Sequence, residues 1–98
     1  MKTNIDKMLA ESVDVALNRI SPDDKMEFYN RLKQDYNFDM TNISESFPVF
    51  HLALSERYGN KHFIIEREII KILHVIALIK SYYLSTVPTI IFSSRNHG

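Results

Sequence analysis

One stretch, residues 63–87, constrains the fold of this chain more than any other. Isoleucine and tyrosine recur in it at alternating steps of four and three residues, which places them on one side of a helix. The members of this apolar stripe are Ile65, Ile69, Ile72, Ile76, Ile79 and Tyr83. More apolar residues flank the stripe, and a narrow polar stripe is formed by Arg67, Lys71, His74, Ser81 and Ser85. A helix this apolar must be covered on most sides, by its own chain or by a second copy.

Size and composition describe one ordinary globular domain. The 98 residues fit a single domain, and 45% hydrophobic with 24% charged residues is usual for a water-soluble protein. Only two glycines and three prolines are present, which argues against long flexible linkers and turn-rich β folds. The absence of cysteine excludes disulfides, thiol catalysis and thiolate metal sites. This composition fits a reducing compartment, and we expect a cytoplasmic protein.

Charge is balanced over the whole chain but divided unevenly along it. Residues 1–45 hold six basic and nine acidic residues, for a net charge of −3, whereas residues 46–98 hold six and three, for +3. Halves of opposite sign attract each other, within one molecule or between two. The neutral total argues against binding through the phosphate backbone of nucleic acids, which requires a surplus of lysine and arginine.

The sequence does not predict a membrane span. The best candidate, residues 69–92, is interrupted by Lys71, His74, Lys80 and Pro88. Its longest uncharged run falls short of the ~20 apolar residues that a span requires. The N-terminus does not resemble a signal peptide, because Asp6 and Glu11 fall within it and no apolar region follows. We therefore expect no membrane partner.

Periodicity and helix-end signals predict the first two of four helices. Helix one runs from about Asn4 to Ile20. Ser21-Pro22 starts helix two, because serine can cap a helix and proline suits its first position. Asn37 ends helix two, since asparagine tolerates the left-handed backbone conformation of a helix stop.

The remaining helix ends define the predicted architecture. Helix three begins near Pro48 and stops at Gly59, and helix four ends before Pro88. The predicted fold is all-α, a single domain over residues 1–98 in which four helices pack in an orthogonal or bundle-like arrangement. Its helical core spans residues 4–87 and includes a long apolar C-terminal helix, and residues 88–98 form a C-terminal tail.

One pair of side chains has the spacing of metal ligands. His62 and Glu66 are four residues apart and can share a helix face, and His51 or Glu56 could approach them in space. Two ligands do not make a site, so we predict no metal site. The chain also lacks a glycine-rich phosphate loop, a G-x-S-x-G motif and a paired-carboxylate signature. We therefore expect no catalytic residue, no cofactor and no enzymatic activity.

The second half of helix four is predicted to be an interface. Three short helices can cover its first half but not both halves. Tyr82 and Tyr83 lie late on the helix, where no partner within the chain is evident. We therefore predict a protein-interaction module that forms a homodimer through Ile76, Ile79, Tyr82, Tyr83, Ile90 and Ile91 and also binds an unidentified protein.

A DNA-binding, transcription-associated protein is the alternative hypothesis. The short link Ser21-Pro22 permits helices one and two to form a helix-turn-helix. However, the basic residues of helix two are interleaved with acidic ones in the order Asp24, Lys25, Glu27, Arg31, Lys33 and Asp35. A helix that reads the major groove should not present that many acids to DNA, so a nucleic-acid partner is the weaker prediction.

Part of the chain resembles a group of small helical domains. The residues that carry the resemblance are Ile5, Asp6, Leu9, Glu11, Phe28, Tyr29, Leu32, Tyr36, Phe38, Ile43, Phe50, Ala53, Leu54, Tyr58, Gly59, Ile65, Glu66, Ile69 and Leu73. Over residues 4–74 the chain is similar to the signal-transduction output domains described in ammonia-oxidising archaea. The resemblance implies a stand-alone regulatory or adaptor module, and it brings no known active site or cofactor.

The chain departs from that pattern in its sequence and its length. Such domains often have glycine at the position of Asn37, and a Gly-Ala pair at the position of Lys61-His62. They usually finish soon after the position of Leu73. The apolar extension over residues 75–92 is therefore additional, and it argues against a simple monomer.

Overall fold

The protein is all-α. The computed structural model describes the backbone of residues 4–97 and the side chains of residues 5–81. Its α-helices are α1 (Asn4–Ile20), α2 (Lys25–Tyr36), α3 (Phe47–Tyr58) and α4 (His62–His97). Three short 3-10 turns connect them, at Pro22–Asp24, Met40–Asn42 and Gly59–Lys61.

The prediction of four separate helices is wrong at the junction of α3 and α4. No loop separates the two helices, because the 3-10 turn at Gly59–Lys61 follows α3 directly and α4 follows the turn. Residues 4–97 therefore contain three long helical runs, over 4–20, 22–36 and 47–97. Gly59 has φ 57° and ψ −132°, so a single residue changes the chain direction and no loop is needed.

The first helix ends agree closely with the sequence signals. Helix α1 has the predicted bounds. Asn37 has φ 50° and ψ 42° and donates its backbone N–H to the Leu32 carbonyl, which confirms the left-handed stop of α2. Ser21 lies at the predicted cap position, but its side chain makes no capping hydrogen bond. The chain instead enters α2 through the 3-10 turn that begins at Pro22.

Helix α4 is longer than predicted. It continues through Pro88 to His97, whereas the sequence predicts an end before Pro88 and a separate tail over residues 88–98. A proline removes one backbone donor and can kink a helix without ending it. The described side chains of α4 are not uniformly apolar, because the charged residues Glu66, Arg67, Glu68, Lys71 and Lys80 lie among them.

The core is built where α1, α2 and α3 meet the first half of α4. Phe28 of α2 and Phe50 of α3 are buried at its centre, with ring centroids 5.9 Å apart in an edge-on arrangement. Helix α1 makes the most extensive contact with α4. The other large, fully buried hydrophobic side chains of the core are Val13, Leu17, Leu32, Ile43, Leu54, Ile65 and Ile69.

A polar network joins α1, α2 and α3 beside this core. Arg57 pairs with Asp24, and the Tyr58 hydroxyl donates to the same carboxylate at 2.8 Å. On the other side of α2, Asp14 accepts a hydrogen bond from Tyr29 at 3.0 Å and pairs with Lys25 at 3.0 Å. These contacts fix α2 against both α1 and α3.

Candidate interaction surface and histidine–glutamate cluster

Burial falls steadily along the apolar stripe of α4. Ile65 and Ile69 are fully buried, Ile72 and Ile76 are half-buried, and Ile79 is 60% exposed. These residues share one side of the helix, so the change reflects position along its axis. The helices α1 and α3 thus cover the beginning of the stripe, and its continuation towards Ile79 is open to solvent.

A second set of large apolar side chains is exposed beside the end of the stripe. Val75 and Leu78 are both more than half exposed, and helical geometry places them next to Ile79. We refer to Val75, Leu78 and Ile79 as the outer face of α4. Exposed apolar side chains that lie next to one another are candidates for an interaction site.

The structure describes two of the predicted interface residues in full. Ile79 belongs to the outer face, and Ile76 is half-buried at its edge. The side chains of Tyr82, Tyr83, Ile90 and Ile91 lie outside the described residues. Val75 and Leu78 were left out of the predicted interface, although their spacing from Tyr82 could have indicated them.

A cluster of His51, His62 and Glu66 lies at the junction of α3 and α4. His62 is the first residue of α4, and Glu66 lies one turn later, so both side chains are on the same face. His51 comes from the middle of α3. One donor atom from each residue lies within 4.8 Å of those of the other two. We call these three residues the histidine–glutamate cluster.

The carboxylate of Glu66 faces both imidazole rings. His62 Nδ1 is 3.3 Å from Glu66 Oε1, and His51 Nδ1 contacts Glu66 Oε2. The two rings meet edge to face, with centroids 5.2 Å apart. His62 is buried and Glu66 is mostly buried, whereas the His51 side chain is 50% exposed. The cluster is therefore anchored inside and open on one side.

Sequence spacing identifies only part of this cluster. It pairs His62 with Glu66, but it does not decide between His51 and Glu56 as a third member. The turn at Gly59 brings His51 to the cluster, and Glu56 instead accepts a hydrogen bond from Tyr36. The structure thus assembles three ligand-type residues where the sequence predicts no metal site.

The groove between α2 and α3 is a poorer candidate for a ligand site. It has a volume of about 300 Å³ and includes Arg31, Asp35, Tyr36 and Glu56 in its lining. Its polar groups are engaged with one another, since Arg31 pairs with Asp35 at 3.9 Å and Tyr36 donates to Glu56. A ligand pocket instead presents convergent polar groups that remain available to the ligand.

Two of the three basic residues of α2 are paired with acidic residues, which disfavours DNA contact. Lys25 pairs with Asp14 at 3.0 Å, and Arg31 lies between Glu27 at 3.5 Å and Asp35 at 3.9 Å. Cations that neutralise phosphates must be available to them. This arrangement gives α2 little of the positive surface that a recognition helix presents.

Comparison with protein-family models, curated proteins and solved structures finds no match to this chain. Within the part of the chain that the structure describes, no helix is both long enough and apolar enough to cross a membrane. The surfaces that remain for a functional interpretation are the outer face of α4 and the histidine–glutamate cluster.

Proposed function

We propose that this protein is a non-enzymatic regulatory or adaptor module of the cytoplasm that forms a homodimer through α4. The observation that carries the proposal is the fall in burial along the apolar stripe, from the buried Ile65 to Ile79 at 60% exposed. A stripe that continues beyond its own core has the pattern of a helix that packs on a second surface. The outer face provides that surface, and a second copy of α4 offers the matching one.

The energetic requirement determines how much of α4 must take part. Association costs about 4–15 kcal/mol in lost translational and rotational freedom. Each half-exposed side chain of the outer face contributes on the order of 1 kcal/mol when it is covered. The outer faces of two copies therefore support only a weak dimer. We accordingly include Tyr82, Tyr83, Ile90 and Ile91 in the proposed interface.

The charge distribution supports pairing between copies. The first 45 residues carry a net charge of −3, and the remaining residues carry +3. In a dimer, the acidic half of one copy can face the basic half of the other, which favours encounter and fixes orientation. The resemblance of residues 4–74 to archaeal signalling output domains supports the regulatory role, in which the dimer would bind a further protein.

The test is the solution mass of the untagged chain by light scattering over a hundred-fold range of concentration. We expect twice the chain mass of 11.5 kDa for the wild-type protein. The variant Ile79→Asp should have the mass of one chain, because it places a charge in the interface. Met26→Asp is the matched control, since Met26 is 64% exposed but lies on α2.

Two results would contradict the proposal. One is a wild-type protein that remains monomeric at the highest concentration. The other is an Ile79→Asp variant that keeps the wild-type mass and melting temperature. Duplex DNA binding that weakens with added salt would instead favour the DNA-binding alternative, and it would place the function on α1 and α2.

A further inference from the structure

We propose that His51, His62 and Glu66 form a binding site for a divalent transition-metal ion of the zinc class. The site is separate from the outer face of α4, and its formation does not depend on a dimer. It would link the middle of α3 to the first turn of α4 across the 3-10 turn at Gly59–Lys61.

The donor atoms have the chemistry of a zinc site with an open position. Two imidazole nitrogens and one carboxylate oxygen are the protein ligands of many such sites, where water or another small ligand takes the fourth position. Imidazole favours zinc, copper, nickel and cobalt, whereas magnesium and calcium prefer sites made of oxygen. The composition of the cluster therefore indicates a transition metal.

The distances within the cluster also fit such an ion. A tetrahedral zinc ion with bonds of about 2.0–2.1 Å separates neighbouring donor atoms by roughly 3.3 Å. His62 Nδ1 and Glu66 Oε1 are 3.3 Å apart. The donor atom of His51 lies within 4.8 Å of both other donor atoms. The pair on α4 thus already has the donor separation of such a site, and the exposed His51 is the residue that can adjust to complete it.

Burial divides the cluster into a fixed part and an adjustable part. His62 and Glu66 are held by one helical turn and are largely shielded from solvent, which pre-organises two ligands. The His51 side chain is 50% exposed, so its ring can move and the ion can enter from solvent. A surface ion pair requires only one imidazole for one carboxylate, whereas this carboxylate is approached by two.

The experiment is titration of the untagged full-length chain, first stripped with EDTA, with zinc chloride in a calorimeter. We expect one zinc ion per chain. At a hundred-fold excess over the dissociation constant, zinc should raise the melting temperature by roughly 10 °C. His51→Gln should weaken binding at least about 100-fold, because losing a group that merely orients a ligand already weakens it about 10–100-fold.

Two further variants make the result specific to the cluster. Glu66→Gln keeps the size of the side chain and should also weaken binding strongly. His74→Gln is the control, because His74 is an exposed histidine of α4 outside the cluster and its loss should leave zinc affinity unchanged. The metal-free melting temperature of each variant separates loss of binding from loss of folding. The same titration of the monomeric Ile79→Asp protein should give wild-type affinity.

Three outcomes would overturn the proposal. One is the absence of heat and of any melting-temperature shift with zinc, cobalt or nickel. The second is wild-type affinity in both His51→Gln and Glu66→Gln, which would place the metal elsewhere. The third is loss of affinity in His74→Gln equal to that in His51→Gln. In the first case the three residues form a hydrogen-bonded contact between α3 and α4 and nothing more.

Discussion

Asp24, at the start of α2, makes the central polar contacts between α2 and α3. Its carboxylate accepts hydrogen bonds from Arg57 Nε at 3.0 Å and from the Tyr58 hydroxyl at 2.8 Å. The hydrogen bond from Arg57 holds the pKa of Asp24 below its usual value, although partial burial opposes this shift. Burial and the hydrogen bond to Asp24 raise the pKa of Tyr58 to about 12. The folded state thus favours a charged Asp24 beside a neutral Tyr58.

The lowered pKa of Asp24 predicts a dependence of stability on acid. The unfolded chain titrates this carboxyl at about pH 3.9. Because the folded pKa is lower, the stabilisation is present above that pH and is lost as the pH falls through the folded value. Asp24→Asn should lower the free energy of unfolding by about 1 kcal/mol at pH 7. Urea denaturation should show this difference shrinking in strong acid.

Asp23→Asn is the control for this measurement. Asp23 is the exposed neighbour of Asp24 in the same 3-10 turn. Its replacement should change the stability at pH 7 by a smaller amount, because its side chain is exposed. Equal effects of the two substitutions at every pH would show that Asp24 and Arg57 do not stabilise the fold through their contact.

At the scale of the element, the described part of α4 has a buried beginning and a more exposed continuation towards Ile79. We expect Ile65→Ala to lower the free energy of unfolding by about 2–5 kcal/mol, because it opens a cavity in the core. Ile79→Ala should change it by no more than about 0.5 kcal/mol in dilute solution. At high protein concentration Ile79→Ala should lower the stability by a larger amount, since the dimer adds stability by mass action.

Thermal unfolding at two protein concentrations measures both effects. The decrease in melting temperature caused by Ile65→Ala should be the same at both protein concentrations. The decrease caused by Ile79→Ala should be larger at the higher concentration. A large shift from Ile79→Ala in dilute solution would mean that this side chain is covered within the monomer. That result would contradict the exposure on which the proposed interface depends.

The elements could be predicted from sequence where their ends depend on local backbone chemistry. Asn37 adopts the left-handed conformation that asparagine tolerates, and α1 has the predicted bounds. The prediction fails where a local signal is overridden, as at Pro88, where α4 continues with one fewer backbone donor. It also predicted four separate helices, because a glycine stop signals a break, whereas the 3-10 turn at Gly59–Lys61 joins α3 to α4 without a loop.

The outer face of α4 could be predicted from sequence more fully than the histidine–glutamate cluster. The spacing of apolar residues predicts that part of α4 remains uncovered, and Ile79 is exposed accordingly. The histidine–glutamate cluster could not be predicted in full, because His51 and His62 are brought together by the angle between α3 and α4. That angle depends on the backbone at Gly59, which sequence periodicity does not report.

At the scale of the whole molecule, α4 determines the shape. A helix of 36 residues is about 54 Å long, and the longest dimension of the protein is 58 Å, against 28 and 20 Å for the others. The radius of gyration is 17.1 Å, whereas a compact domain of 100 residues has about 13 Å. The elongation comes from the extension of α4 beyond α1 and α3, the helices that contact its start.

Small-angle X-ray scattering of the monomeric variant Ile79→Asp tests this shape. We expect a radius of gyration near 17.1 Å, because the helix extends whether or not a partner is present. The Met26→Asp control should give the larger value of the proposed dimer. A radius near 13 Å for the monomer would mean that the second half of α4 folds back onto the domain, and the outer face would then be covered internally.

Handedness, rather than space, restricts which residue can join α3 to α4. Nothing lies within 4 Å of the position that a β-carbon would take on Gly59. Its φ of 57° and ψ of −132°, with both signs reversed, are the ordinary extended angles of an L-residue. The joint therefore has the backbone of a D-amino acid, which only achiral glycine among the encoded residues adopts without strain. A single codon thus fixes both the course of α4 and the approach of His51 to His62.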